Sequence, residues 1–554
     1  MKKTKKIIIA VAISVSTFLS FGFADNYFEL SKNLDIFSTL LKELNTYYVD
    51  DTKPGELMKT GIDAMLQSLD PYTNYIPESA IEDYRFMTTG QYGGIGALIH
   101  KDSNQIIVSE PYEGFPAFKA GLRAGDVILQ VDENKVEGKN SGEISKLLRG
   151  QSGSSLKVTI QRPNTPEPMV KELVRENIKI NDVPYYKMLD NQIGYIKLSS
   201  FTATASSEFI AAFNDLKEKG MKELVFDLRG NGGGLLIEAV DIVNIFIPRG
   251  KKVVETRGKL KKWDAVYNTR KEPIDVTIPV VILVDGGSAS ASEIVSGTLQ
   301  DYDRAVIIGR QTFGKGLVQQ TRPLSYNAQL KVTVAKYYIP SGRCIQRIDY
   351  SNKNDLGKAQ SVPDSLISSF KTVVNKRPVK DGKGIKPDIF KEEESLSMLT
   401  ATLMRNFHIF NYATEYYLNH STIAPAKDFK LTDEEYSKFV SYLNDKKYAY
   451  STQSEDALKE LKKIAKDEKY FEHAESEYTA LLEKLTPSKQ EDLIRFKSEI
   501  KLLLENEIIS RYYYQDGRIE QSLNSDADVL EAVEVLKNKK KYNEILAGTF
   551  TSNK

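Results

Sequence analysis

Apolar residues recur at helical spacing from Phe28 to Leu69, where Leu34, Phe37, Leu40, Leu41 and Leu44 are followed by Met58, Ile62, Met65 and Leu66. The spacing predicts an N-terminal helical segment, which Pro71 and Pro77 in "SLDPYTNYIP" bring to an end. From about Gln91 to Arg162 the texture changes to short β-like runs and glycines: "GGIGALI", "QIIVSEP", "GDVILQVD" and "SSLKVTIQRP". Two short helical stretches, "PAFKAGL" and "EISKLLRG", lie between them, which predicts a compact β-rich binding module. From Pro184 to about Glu394 strands alternate with helices, as in an α/β sheet. "IGYIKLSSF", "ELVFDLRG", "PVVILVDGG" and "AVIIGR" read as strands. "SSEFIAAFNDLKEKG", "LLIEAVDIVNIFI" and "SASEIVSGTLQDY" read as the helices between them, and "QLKVTVAKYYIP" as a later strand. The polar run "DYSNKNDLGKAQSVPDS" reads as a surface loop or insertion, and beyond Ser395 the chain is Lys/Glu/Leu/Tyr-rich and mostly helical. The fold class is therefore multidomain α/β. The expected division is 25–88, 89–165, 166–394 and 395–554, after a leader at 1–24.

That leader differs in kind from the rest. A basic start, Met1 to Lys6, precedes an apolar run from Ile7 to Ala24, and Gly22 and Ala24 are small residues at the −3 and −1 positions of a cleavage site. This is the layout of a secretory signal cleaved near Ala24, and it predicts export, in the periplasm of a bacterial cell. The run is also long enough for an uncleaved membrane anchor. Net charge is +1 over 554 residues, which gives no case for a nucleic-acid partner. Cys344 is the single cysteine, so no internal disulfide and no CxxC zinc site can form. The four histidines (His100, His408, His420 and His473) are scattered, with no metal-ligand spacing. We expect neither metal nor cofactor.

Three stretches carry candidate chemistry. "GRQTFGKG" imitates a phosphate-binding loop, because Gly309 and Gly314 frame four residues before Lys315. The next residue is Gly316, where such a loop needs a Ser or Thr hydroxyl for magnesium, and the following segment reads as β rather than helix. In "DGGSASASE", Ser290 to Glu293 forms an S-x-x-E capping box, which a helix start wants whatever the protein does. Yet Gly286 to Ser292 holds no bulky side chain, more than capping requires, and a serine at a helix N-terminus has free N–H groups beside it. No histidine is placed to serve it, which leaves a Ser-Lys dyad with Lys315. A lysine of ordinary pKa ~10.4 is a poor base at neutral pH, and burial in an apolar pocket lowers it by ~3 units or more. The alternative for Lys315 is a surface lysine in a glycine turn. Gln319, four residues on, either orients the Lys amine or is structural. In "FDLRGNGGGLLIEAV", Asn231 and Gly232 to Gly234 suggest backbone N–H groups facing a substrate, or a tight turn.

"DLRGNGGGLL", "DGGSASASEIVSGTLQDY", "GRQTFGKGLVQQ", "YYIPSGRCIQ" and "GIKPDI", in this order, closely resemble the carboxyl-terminal processing peptidases, or tail-specific proteases. The resemblance runs from about Asp83 to Glu394 and implies a PDZ domain before a Ser-Lys serine endopeptidase core. It implies Ser290 as nucleophile, Lys315 as general base twenty-five positions later, and Gln319 as the residue that holds the lysine. Oxyanion donors are then expected from the backbone of Ala291 and of Gly233 or Gly234. Glu293, Asp301 and Thr312 match supporting positions, and Cys344 stands where the family often has Ser. Gly94, Ile95 and Gly96 are expected to bind the substrate's C-terminal carboxylate as its tail adds a strand to the sheet edge. Arg149 either couples that event to the active site or is a solvated loop residue. The expected partners are proteins with accessible apolar C-termini. The helical region from Ser395 to Lys554, which the resemblance does not cover, is expected to dimerise, dock an adaptor or shield the active site, and a homo-oligomer is expected. The rival reading is a catalytically silent PDZ scaffold.

Overall fold

The computed structural model of the protein describes residues 27–550, apart from 190–191, 355–356, 393–394 and 487. The leader and its cleavage position at Ala24 lie outside the described residues. The chain divides into two units: Met1–Glu78 with Gln319–Thr333, and Ser79–Val318 with Val334–Lys554.

In the first unit a helix spans 27–47 and a second spans Pro54–Gln67. Pro54 opens the second helix, where its missing N–H leaves nothing unsatisfied. The chain then turns on Asp70, whose buried carboxylate accepts the backbone N–H groups of Tyr72 and Thr73 (2.8 Å each) and the Thr73 hydroxyl. That turn delivers the strand Asn74–Ile76, which pairs antiparallel with 329–331.

The second unit opens with the β-rich module. Ala97–Asp102, Gln105–Pro111, Val127–Val131, Ser155–Gln161 and Met169–Val174 form one antiparallel sheet. Ile106, Val108, Val158 and Ile160 of that sheet pack against Ile144 and Leu148 of the helix Ser141–Leu148. The sheet continues past the boundary expected at 165, because Ser155–Gln161 takes Met169–Val174 as its outer partner.

Downstream, a six-stranded sheet runs in the order Tyr185–Met188, Ile193–Lys197, Glu223–Asp227, Val280–Val284, Val306–Gly309 and Ile389–Phe390. The first pair is antiparallel and the others are parallel. Side chains alternate across it with period two. Ile196, Phe226, Ile282 and Ile307 face the helices Ala205–Glu218, Leu236–Phe246 and Ala291–Asp301. Tyr195, Val225, Val281, Leu283, Val306 and Ile308 face the other way, onto Val529, Ala532, Val535, Leu536 and Ile545. A mostly parallel sheet needs cover on both faces, and here the last two helices, Ala527–Lys537 and Lys539–Ala547, supply the second layer. The end of the chain is thus part of the α/β core and not only an appended helical region. The polar run 349–365, expected as a surface loop or insertion, contains a two-stranded ribbon, Ile348–Lys353 with Ala359–Ser361.

Between the core and its last helices the chain builds a helical body around Leu403, Tyr412, Phe439 and Ile508. A helical hairpin, Gln453–Asp467 and Phe471–Leu485, has its own small core of Leu458, Phe471 and Tyr478. The β-rich module rests on the helical body: the His100 ring stacks on Phe407 with centroids 4.1 Å apart, and Glu110 pairs with Arg518 at 2.7 Å.

Candidate active site

The run from Ser288 to Ser292, which leads from the loop after the strand Val280–Val284 into the first turn of the helix Ala291–Asp301, holds three serines, and their surroundings separate them. The Ser288 hydroxyl is buried and donates to the Leu228 carbonyl (2.8 Å), and the Ser292 hydroxyl is buried and donates to the Asn231 carbonyl (2.9 Å). Both are used up in joining this segment to the glycine-rich loop. Ser290 is half-buried. Its backbone lies at φ 55°, ψ −109°, outside the extended region an N-cap residue normally takes. A non-glycine residue held there costs about 1–3 kcal/mol and persists only where its surroundings enforce it. Capping alone does not ask for that strain.

Glu293 supplies much of the enforcement. Its carboxylate is fully buried and accepts four hydrogen bonds: Ser290 N–H (2.9 Å) and Lys315 N–H (2.9 Å) on Oε2, Gly314 N–H (2.7 Å) and the Thr312 hydroxyl (2.6 Å) on Oε1. Burial raises its pKa above the usual carboxylate range, and these donors oppose the rise. Tyr337 makes a second bridge, donating from its hydroxyl to the carbonyls of Ser290 (3.1 Å) and Lys315 (2.8 Å). One carboxylate and one phenol therefore fasten the Ser290 and Lys315 backbones together.

The glycines around Lys315 answer to packing and not to a phosphate. A Cβ on Gly309 would lie 2.0 Å from the Val284 carbonyl oxygen, one on Gly314 2.5 Å from Arg347 Cβ, and one on Gly316 2.9 Å from Gln346 N. The loop then enters the strand Leu317–Pro323 rather than a helix, which removes the nucleotide-binding resemblance.

The glycine-rich loop closes the site on its other side. Asn231, fully buried, donates its amide to the Leu198 carbonyl (2.8 Å), accepts Gly233 N–H on Oδ1 (2.9 Å) and accepts Ala289 N–H on its carbonyl (3.0 Å). Gly233, at φ 94°, is pressed so closely on the serine segment that a Cβ would meet Ala289 O at 2.6 Å, Ser290 Cβ at 2.8 Å and Ala291 N at 2.9 Å. Of the three expected oxyanion donors, Ala291 and Gly233 come against Ser290. Gly233 N–H is directed at Asn231, whereas Ala291 N–H heads a helix and has no intrahelical acceptor. Gly234 bridges to Phe201, on the side of the loop where Leu235 N–H bonds the Phe201 carbonyl. Asp301 is structural: it is buried in an ion pair with Arg343 (2.9 Å) and accepts Ser341 N–H (2.8 Å). Gln319 belongs to the first unit, where its amide donates to the Thr333 hydroxyl (3.2 Å). Tyr337 carries no mark in the sequence. It sits inside the "YYIPSGRCIQ" motif, but no spacing marks its hydroxyl.

The β-rich module holds a cavity of about 180 Å³ between Ile95 to Ile99 and the end of the helix Ser141–Leu148, with Phe86 and Tyr92 at its wall. Ala97–Asp102 lies at the sheet's edge, so one side of its backbone is open to a further strand. Ile95 and Gly96 line the head of this cavity. Gly94 instead pairs with Glu176 in a separate two-stranded ladder. Arg149 lines the cavity too: it pairs with Asp83, and its guanidinium lies 5.0 Å from the Tyr92 ring centroid and 5.7 Å from that of Phe86.

Residues 192–351 match peptidase family S41, residues 107–162 match a PDZ domain, and residues 399–536 match the C-terminal helical domain of probable PDZ-proteases. A carboxy-terminal-processing protease of Bartonella bacilliformis is 38% identical over 321 residues, covering 57% of this chain and 73% of that protein. A probable CtpA-like serine protease of Staphylococcus aureus is 38% identical over 317 residues, covering 56% and 62%. Among solved structures, the photosystem II D1 C-terminal processing protease is 28% identical over 65% of this chain and 93% of its own, with a TM-score of 0.35.

Proposed function

Because the chain belongs to the carboxy-terminal-processing proteases of peptidase family S41, and is a serine peptidase with a PDZ domain, we propose that it is an exported endopeptidase with Ser290 as nucleophile and Lys315 as general base. The observation that carries this reading is the double fastening of the Ser290 and Lys315 backbones by Glu293 and Tyr337. In the proposed reaction the neutral Lys315 amine takes the Ser290 Oγ proton as Oγ bonds to the scissile carbonyl carbon. The oxyanion accepts a hydrogen bond from Ala291 N–H at the head of its helix, aided by the positive end of the helix dipole. Lys315 then returns the proton to the leaving amine, which departs as the C–N bond breaks. Water, deprotonated by the same lysine, hydrolyses the acyl-enzyme. Gln319 is the third member in this scheme, needed for rate more than for binding.

Substrate selection falls to the PDZ cavity. An apolar C-terminal side chain suits its lining of Ile95, Leu148 and Phe86, and the tail's backbone would pair with the edge strand Ala97–Asp102. The basic and apolar leader supports export, and size-exclusion chromatography with light scattering checks the proposed homo-oligomer. The central test is degradation of an unfolded model protein with a free apolar C-terminus by wild type, Ser290→Ala and Lys315→Ala, with circular dichroism to verify folding. Wild type should degrade it, neither folded variant should, and an amidated tail should slow wild type. Equal degradation by the folded Lys315→Ala variant would show that another base operates.

A further inference from the structure

On the Ser290–Lys315 reading above, we propose that Asp528, on the last helical layer, is a positioning residue for both loops of the active site. The glycine-rich loop leaves the strand Glu223–Asp227 and the Lys315 loop leaves Val306–Gly309. These strands are not neighbours, since Val280–Val284 runs between them, so their ends lie roughly 10 Å apart at ordinary strand spacing. Arg229 stands just ahead of Gly230 in the first loop, and Arg310 follows Gly309 at the start of the second. Both guanidiniums converge on one oxygen, Asp528 Oδ2: Arg229 Nη1 at 3.0 Å, and Arg310 Nη1 in a closer ion pair.

The rest of the cluster anchors one partner or the other. Arg229 also forks onto Asp227 (3.0 and 2.8 Å) and reaches Asp526 (2.9 Å), and Arg310 donates to the Glu392 carbonyl (3.0 Å). Asp528 alone in this cluster joins the two loops. It is 3% exposed, so water does not replace it, and without it two arginines face each other in a poorly solvated site.

Two features separate positioning from simple helix docking. The helix Ala527–Lys537 is already held to the sheet by Val529, Ala532, Val535 and Leu536. It is capped by Asp526, which accepts the N–H groups of Asp528 (3.0 Å) and Val529 (3.1 Å). Asp528 is thus spare for holding the helix and committed to the loops. The glycines after Arg229 have no side chains to brace them, so the loop is placed by the arginine at its base together with Asn231 farther along it.

The test is steady-state cleavage of a peptide substrate, together with acylation by a fluorophosphonate probe, by Asp528→Asn and by Val535→Ala. The second variant loosens the same helix without touching either arginine. We expect Asp528→Asn to lower kcat and the acylation rate at least tenfold with KM within about twofold, and Val535→Ala to lower the unfolding temperature while kcat stays near wild type. An unchanged kcat in folded Asp528→Asn, or an equal loss in Val535→Ala, overturns the proposal. Should Asp528→Asn fail to fold, Arg310→Gln is read by the same criteria. Ser290→Ala serves as the reference: if it still turns over substrate, the reading of the dyad has failed rather than the role of Asp528.

Discussion

Replacing Gly233 by alanine tests the geometry of the site most directly. At φ 94° an L-residue pays about 1–3 kcal/mol in backbone strain. The added methyl would lie 2.6 Å from Ala289 O, 2.8 Å from Ser290 Cβ and 2.9 Å from Ala291 N, all backbone or directly attached to it, so none can swing aside. Ordinary contact begins at 3.4 Å, so the glycine-rich loop and the serine segment must part by about 0.8 Å. A misplacement on the order of 1 Å costs about a hundredfold in rate, or about 2.7 kcal/mol of transition-state stabilisation. We therefore expect kcat for a peptide substrate to fall about a hundredfold with KM little changed, alongside a stability loss of about 1–3 kcal/mol in urea unfolding. Gly232→Ala is the control, because a Cβ there meets nothing within 4 Å, and its stability should match wild type. A folded Gly233→Ala enzyme that acylates at the wild-type rate would refute the reasoning, since the close contact of the loop with Ser290 would then not bear on acylation.

Tyr337→Phe removes the hydroxyl shared by the Ser290 and Lys315 carbonyls. A stability cost of about 1–3 kcal/mol and a clear fall in acylation rate are expected, and wild-type acylation would discount the phenol bridge. Glu293→Gln turns an amide NH₂ toward two of the four donors on the carboxylate, so a loss of more than about 2 kcal/mol is expected in urea unfolding; an unshifted midpoint would contradict it. Burial lowers the His100 pKa below its usual 6.5, with Asp102 and Glu507 opposing the drop and Arg511 adding to it. The folded state then binds fewer protons than the unfolded one, so stability rises with pH, and the contribution is lost as pH falls below 6.5. His100→Phe should be less sensitive than wild type between pH 7.5 and 5.5 in urea unfolding, and identical slopes would refute that account.

Much of the fold was legible along the chain because periodicity reports which faces are buried. The helices Ala205–Glu218, Leu236–Phe246 and Ala291–Asp301 and the strands between them fall where the pattern places them. Boundaries that depend on pairing did not follow. The module's sheet reaches Val174 because a strand needed a partner, and the ribbon at 348–361 forms in a run whose polarity reads as loop. Ser290, Lys315 and the glycines stood out as residue types suited to acyl transfer, whereas Tyr337 and Asp528 did not. Each of those works through a hydroxyl or carboxylate placed by distant chain, and local pattern carries no trace of that.

The order of strands and helices, the glycines that permit close approach and the type of chemistry were set by the amino-acid sequence, since backbone freedom and hydrophobic period are local properties. Tertiary structure alone decided the surroundings of the three serines: Ser288 and Ser292 spend their hydroxyls on the Leu228 and Asn231 carbonyls, and Ser290 is held half-buried at φ 55°. It also decided that the last helices complete the α/β core. An apolar helical face binds whichever sheet face is left uncovered, and that vacancy exists only once the strands have assembled.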